Sequence, residues 1–324
     1  MIPNQWYAIL PSKSVQKGVL CAVKRLNLEL VLFRDEEGKL GCVVDQCPHR
    51  GAALSAGKLV GSHVRCPFHG IEFDIEGTCK VIPALGRTTK EDLFRYNVKH
   101  YAVQEEMGII YLWYGKSEEA TPSVPFFHDQ LDDSFSYSEF PDLWNANYSR
   151  CIENQLDVVH VPIVHYNTIG KGNKTVVNGP KVEFDGTLLK TSANNEVDEG
   201  QKPKPPEDCT VKQIYLGFLF PNIWLNHISD KLMILIYFAP VDEENTILYI
   251  RFYCKLSRLR IVNNFIAFFG KFANKRIERQ DKRVVITQKP SSSSLKSGER
   301  LLVGDGPIIT YRRHREELMT RHGK

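Results

Sequence analysis

Cys47-Pro48-His49-Arg50-Gly51 and Cys66-Pro67-Phe68-His69-Gly70 are two versions of one loop, each offering a thiol and an imidazole. In each, a proline stiffens the chain and a glycine permits a tight turn. Sixteen residues separate His49 from Cys66. Two thiolates and two imidazoles make a metal site, and two chemistries compete for it. Structural zinc usually takes such a set with C-x2-C or H-x3-5-H spacing. A [2Fe–2S] cluster takes it when two histidines replace two thiolates on one iron, which raises the reduction potential. The spacing favours the cluster, because each loop can give its cysteine to one iron and its histidine to the other. The glycine turns also bring backbone N–H donors close to inorganic sulfurs.

A second set of candidates lies between Glu153 and His165. On a helix, Asn154, Asp157 and His160 fall at i, i+3 and i+6 and form one polar stripe. His165 would point away from His160 on an unbroken helix. Pro162 disturbs the helical hydrogen bonding, and the expectation is a bend there that brings His165 back toward a shared ion. Two histidines and one carboxylate on one face of an iron leave positions open for dioxygen and substrate. Asp157 is near in sequence, but Asp281 suits the third position better. It lies on a predicted helix from Arg258 to Gln288 and shares a face with Ile277, Val284, Val285 and Gln288. A carboxylate on an apolar face needs a cation or donors. Glu278 is the rival ligand, and a salt bridge to Arg279 or Arg283 is the competing explanation of Asp281.

With their flanks C-P-H-R-G-A and C-P-F-H-G, the two loops strongly resemble the Rieske domain of Rieske non-haem iron oxygenases. The run D-x2-H-x4-H, followed far downstream by an Asp seven residues before a Gln, resembles the catalytic domain of the same family. The two matches occur in the family's order across nearly the whole chain. In style the chain is similar to vanillate- and dicamba-type monooxygenases, which are oxidative demethylases. The resemblance implies that Cys47, His49, Cys66 and His69 hold the cluster and that His160, His165 and Asp281 hold a mononuclear Fe(II). It implies Asp157 as a catalytic bridge to His69 of a neighbouring copy in a head-to-tail homotrimer, with Asn154 helping to position the iron site.

The implied activity is hydroxylation or oxidative demethylation of a small organic substrate, aromatic or heterocyclic, with O2 as co-substrate. A separate ferredoxin and/or flavin reductase would supply the electrons, drawn from NAD(P)H. The competing function is a Rieske electron-transfer or binding protein with an inactive second domain.

The implied fold class is α+β: an N-terminal all-β Rieske [2Fe–2S] domain over 1–117 and a helix-covered antiparallel-sheet, START-like catalytic domain over 118–324. Pattern reading agrees in outline. Strands are expected over 21–34 and 40–45 with a turn at 35–39, then at 64–65, 71–74, 101–104 and 109–114, with polar, proline-bearing 116–125 as the boundary. Further strands are expected over 182–191, 211–218, 224–228, 232–239 and 246–255, with helices around Asn154 and over 258–288. Segment 201–208 reads as a loop near the cavity mouth or a surface connector, and 291–294 as a linker. Phe218, Phe220, Trp224, Tyr237 and Phe252 read as core before pocket. His63, His100, His128, His227, His314 and His322 lack partner motifs.

The 324 residues suit two domains, and 42% hydrophobic residues suffice for real cores. A formal charge of +4, spread along the chain, gives no reason to expect a nucleic-acid partner. The eight cysteines lack a disulfide-framework spacing, which suits a reducing compartment. No signal-like start is seen, so a cytoplasmic location is expected. Apolar runs such as 232–240 and 265–269 are too short to span a bilayer and read as core strand and core helix, with no membrane partner expected.

Overall fold

The computed structural model describes residues 1–87, 89–116, 119 and 123–322. It divides into two units, residues 3–124 and residues 1–2 with 125–324. The expected boundary at 117/118 falls on residues outside those described.

The first unit is built from small antiparallel sheets. Trp6–Pro11 pairs with Ile109–Trp113, which pairs with Val103–Glu106. Cys21–Arg25, Leu28–Arg34 and Leu40–Val44 form a meander, and Lys58–Val60, His63–Arg65, Glu72–Phe73 and Cys79–Val81 form a four-stranded sheet. The expected single run over 21–34 is therefore two strands. The chain reverses at Leu26-Asn27, where both residues take positive φ (55° and 63°), the geometry of a tight hairpin turn that usually carries glycine. One cysteine loop follows Leu40–Val44, and the other joins His63–Arg65 to Glu72–Phe73. Val31, Phe33, Val43, Val64 and Phe73 pack around Cys47 and Cys66 and anchor both loops from below.

The second unit is a seven-stranded antiparallel sheet in the order Ser136–Trp144, Thr246–Cys254, Leu232–Pro240, Ile223–Ser229, Tyr215–Leu219, Leu188–Ser192, Val182–Phe184. The run expected over 182–191 breaks at Asp185-Gly186-Thr187, where Asp185 accepts the N–H groups of Thr187 and Leu188. The first strand was not expected, because Pro141 interrupts its pattern; it lies at the sheet's edge, where a proline is tolerated.

Among the described residues four α-helices complete the unit: α1 (Tyr148–Leu156), α2 (Val161–Val164), α3 (Arg260–Val285) and α4 (Gly306–His322). Helix α1 starts where Asn147 accepts the Ser149 N–H. Phe140, Trp144, Phe218, Ile236, Phe238 and Ile250 on one sheet face pack against Tyr148, Cys151, Ile152, Val285, Ile308 and Tyr311 of the helices. Helix α3 crosses Ser136–Trp144 and Thr246–Cys254 closely: a Cβ on Gly270 would lie 2.4 Å from the Phe252 ring.

Helix α4 has no counterpart in the pattern reading, since its charged run 312–317 masks any apolar period. It is held by a buried ion network. Arg312 donates to both carboxylate oxygens of Glu153, Arg150 also contacts Glu153, and both arginines reach Glu299 at 2.7 Å. The serines at 291–294 are accordingly anchored and do not form a free connector. Ser293 donates its N–H to Ser149 Oγ, and its carbonyl accepts from Arg315. The run 265–269 also departs from expectation, because Phe265, Phe268 and Phe269 face outward from α3 instead of joining the core.

Candidate metal centres

The two cysteine loops close with the same pair of hydrogen bonds. Cys47 N–H donates to Ala52 O (2.8 Å) and Gly51 N–H to Cys47 O (2.9 Å); Cys66 N–H donates to Ile71 O (2.8 Å) and Gly70 N–H to Cys66 O (3.1 Å). Gly51 and Gly70 sit at φ 74° and 72°, which explains the glycine in each motif. Both cysteines are buried and both histidines are exposed, with their rings 4.6 Å apart. Burial and the neighbouring Cys66 thiol push the Cys47 thiol up, while the backbone N–H groups of His49 and Arg50 act in the opposite sense. Such N–H groups, aimed at sulfur, are what a sulfide-rich cluster requires. Cys79 belongs to the same core but is lifted to about 11 by burial and by Cys47, so it stays a thiol.

The second set is assembled from three helices. Helix α1 stops at Leu156, and Asp157 turns to extended geometry (φ −80°, ψ 123°) while its Oδ1 accepts the Val159 N–H at 2.6 Å. His160 then caps α2, whose first turn holds Pro162. The expected bend at Pro162 is thus corrected: the break precedes His160, and the proline starts a new helix, a position it favours because no N–H is needed there. His165 closes α2, and α3 brings in Asp281.

His160, His165 and Asp281 each place a donor atom within 4.8 Å of the other two. Asp281 Oδ1 is 3.3 Å from His160 Nε2 and 3.0 Å from His165 Nε2. Asp281 is 2% exposed, and its Oδ1 has no hydrogen bond of good geometry despite the two nearby ring nitrogens. A buried carboxylate oxygen facing two imidazole nitrogens without bonding to them is arranged to share a cation. Burial pushes the Asp281 carboxyl up, but the two imidazoles outweigh this and hold it below the usual range. Burial likewise pulls His160 down, and Asp157 with Asp281 more than reverses it, to about 9, so the field here favours positive charge.

Outer contacts orient the imidazoles. His165 Nδ1 lies 3.0 Å from Gln280 Oε1, an acceptor, which places the proton on Nδ1 and leaves the Nε2 lone pair toward Asp281. Thr168 and Asn167 fix the Gln280 amide. Asp157 Oδ2 faces His160 Nδ1 at 3.3 Å. Gln280, Thr168 and Asn167 were missed in sequence, because an amide two elements away leaves no local signal.

The trio opens on a cavity of about 360 Å3 lined by Val158, Ile214, Leu216, Trp224, Ile234 and Ile277 among others. Asn154 lines it as well, with its Nδ2 buried and without a partner. Glu278 lines it but supplies no atom to the trio. Of the five aromatics weighed as core or pocket, Trp224 lines this cavity. Elsewhere, His63 contacts Glu72, His227 contacts Gln213 O, and His314 packs edge-to-face against Phe184 and Phe220.

Residues 5–102 match the family description Rieske [2Fe-2S] domain, and residues 144–321 match vanillate O-demethylase oxygenase C-terminal domain. The chain belongs to the Rieske oxygenases. It is 32% identical over 166 residues to the dicamba O-demethylase oxygenase component of Stenotrophomonas maltophilia, covering 51% of this chain and 48% of that protein. With the vanillate O-demethylase oxygenase subunit of a Pseudomonas species it shares 32% over 201 residues, 59% of this chain and 53% of the other. Protein TIC 55 of Arabidopsis thaliana matches at 32% over 166 residues, 51% of this chain and 31% of that protein. The matched stretches therefore span between 31 and 53% of these relatives' own lengths. Two solved structures share the fold: NdmA of Pseudomonas putida CBB5 with caffeine (TM-score 0.79, 22% identity, 99% of this chain and 92% of that one) and dicamba monooxygenase bound to dicamba (0.76, 19%, 100% and 99%). A Rieske oxygenase carries a Rieske cluster and a mononuclear iron, and the buried thiols and orphaned Asp281 oxygen described above fit both groups.

Proposed function

We propose that this chain is the oxygenase component of a multi-component system that hydroxylates or oxidatively demethylates a small aromatic or heterocyclic substrate. In this reading Cys47, His49, Cys66 and His69 hold the cluster, and His160, His165 and Asp281 hold the iron. The observation that carries it is Asp281 Oδ1, buried between two imidazole nitrogens and bonded to neither. When bound, the cluster delivers single electrons and the iron activates dioxygen for insertion into a substrate C–H bond.

The chain's own residues do the rest. Gln280 keeps the His165 Nε2 lone pair turned toward the site. Asp157 Oδ2 holds His160 from behind, and in a head-to-tail homotrimer the same carboxylate would also reach His69 of an adjacent copy. Asn154 Nδ2 offers one donor to a substrate acceptor or to the iron site's surroundings, and the apolar cavity walls exclude water from the reaction. Electrons would come from NAD(P)H through a separate ferredoxin and/or flavin reductase, in the cytoplasm. A domain division near 117/118 is kept as part of the proposal.

The test is metal analysis of anaerobically purified protein together with low-temperature EPR of the dithionite-reduced sample. About three irons per chain and a Rieske-type signal are expected. Two irons would favour an electron carrier with an inactive second unit, and zinc without a cluster signal would overturn the reading.

A further inference from the structure

Helix α3 is amphipathic in the reverse of the usual sense. Its N-terminal half turns Asn263, Ala267 and Asn274 inward, with Gly270 against Phe252, and turns Ile261, Phe265, Phe268, Phe269 and Phe272 outward. Ile261 is 77% exposed, Phe265 65% and Phe269 53%. The spacing i, i+4, i+7, i+8, i+11 sets these five on one stripe, and the rings of Phe265, Phe268, Phe269 and Phe272 touch in sequence. An ordinary surface helix has no cause to show water so many aromatic rings in one place.

Charge says what covers the stripe. Between Glu244 and Glu278 there is no acidic residue, whereas Lys255, Arg258, Arg260, Lys271, Lys275 and Arg276 fall within it. Among the described residues no ion pair engages Arg258, Arg260, Lys271, Lys275 or Arg276. The acidic side chains of the strand beneath are taken, Glu139 by Arg251 and Asp142 by Lys282. Lys271 lies over the Phe268 and Phe272 rings, with its ammonium 4.9 and 5.5 Å from their centroids, a cation–π contact that keeps a positive charge on the stripe itself. A two-fold contact of this face with its own copy would set these cations against each other. No described helix is long and apolar enough to cross a membrane; a helix with a one-sided apolar stripe and basic flanks has the make-up of one that lies in the interface plane.

We propose that the outward face of the first half of α3 docks on an anionic lipid surface, with the phenylalanines in the acyl boundary and Arg258, Arg260 and Lys271 among the headgroups. The earlier expectation of no membrane partner followed from run length, a criterion that a one-sided stripe escapes. Ile277, about two turns beyond Phe269 on the same helix, lines the cavity, so docking holds the substrate site at a fixed distance from the lipid.

The full chain is co-sedimented with phosphatidylcholine vesicles with and without about 30% phosphatidylglycerol. Expected is partition onto the anionic vesicles, reversed by salt, and reduced at least about tenfold by Phe265→Ser with Phe269→Ser and by Arg258→Glu with Arg260→Glu. The variants should keep the wild-type visible absorbance, since these side chains are exposed. No partition of the wild type, or partition that ignores both variants, overturns the proposal. So does a phenylalanine variant that splits an oligomer in sedimentation velocity while the wild type ignores vesicles, because the face is then a subunit contact.

Discussion

The two metal-binding regions are built on opposite plans. In the proposed cluster loops every candidate donor lies within a five-residue motif, the turn is closed by backbone bonds within the motif and to the residue after it, and the two imidazoles are left in solvent. In the proposed iron site three candidate donors come from a span of 122 residues (160 to 281), two helix ends and a long helix; Asp281 and His165 are buried, and Gln280, outside any motif, holds the His165 ring. A site made of local sequence is specified by local sequence. A site made by packing depends on everything that sets the packing.

The largest effects test whether the two regions are independent. Cys66→Ser is expected to remove the cluster's absorbance and leave iron on the trio, and Asp281→Ala to do the reverse, each abolishing turnover. Loss of both metals from either variant would break the comparison. Next, Gln280→Leu removes the acceptor of His165 Nδ1 and should weaken iron binding about 10–100-fold by competition with a chelator, with the cluster untouched. Wild-type affinity would show that the imidazole needs no such guide.

The smallest effect concerns Glu278. Burial, then the charges of Asp281 and Asp142, lift its carboxyl well above the usual 4.5. The folded chain then keeps a proton that the unfolded chain releases, so stability is full below about pH 4.5 and declines as pH rises toward the lifted value. In metal-free protein Glu278→Gln should flatten that decline in urea titrations across this range. An unchanged slope would mean that Glu278 is not the group responsible.

What could be read from sequence follows the same division. The cysteine loops, their prolines and their glycines were fully legible, because turn chemistry is a short-range property. His160, His165 and Asp281 were legible as types in order, but the bend was assigned to Pro162, when Asp157 makes it with its own side chain. Leu26-Asn27 hid a hairpin because leucine at positive φ carries no turn signal. Pro141 hid an edge strand, and the charged face of α4 hid a helix. The phenylalanines at 265–269 were read as core because hydrophobicity alone does not say which way a helix is turned.

The Arg150–Glu153–Arg312–Glu299 network sets an order of assembly. Glu153 precedes Asn154 in α1, and Arg312, which satisfies both of its carboxylate oxygens, is made 159 residues later. Until then Glu153 has only Arg150 beside it, too little to bury the pair. During synthesis the cluster loops can fold and load early, as leading domains do. The packing behind the trio is finished only when α4 has emerged to lock α1, so the last step in building that unit falls at the end of synthesis.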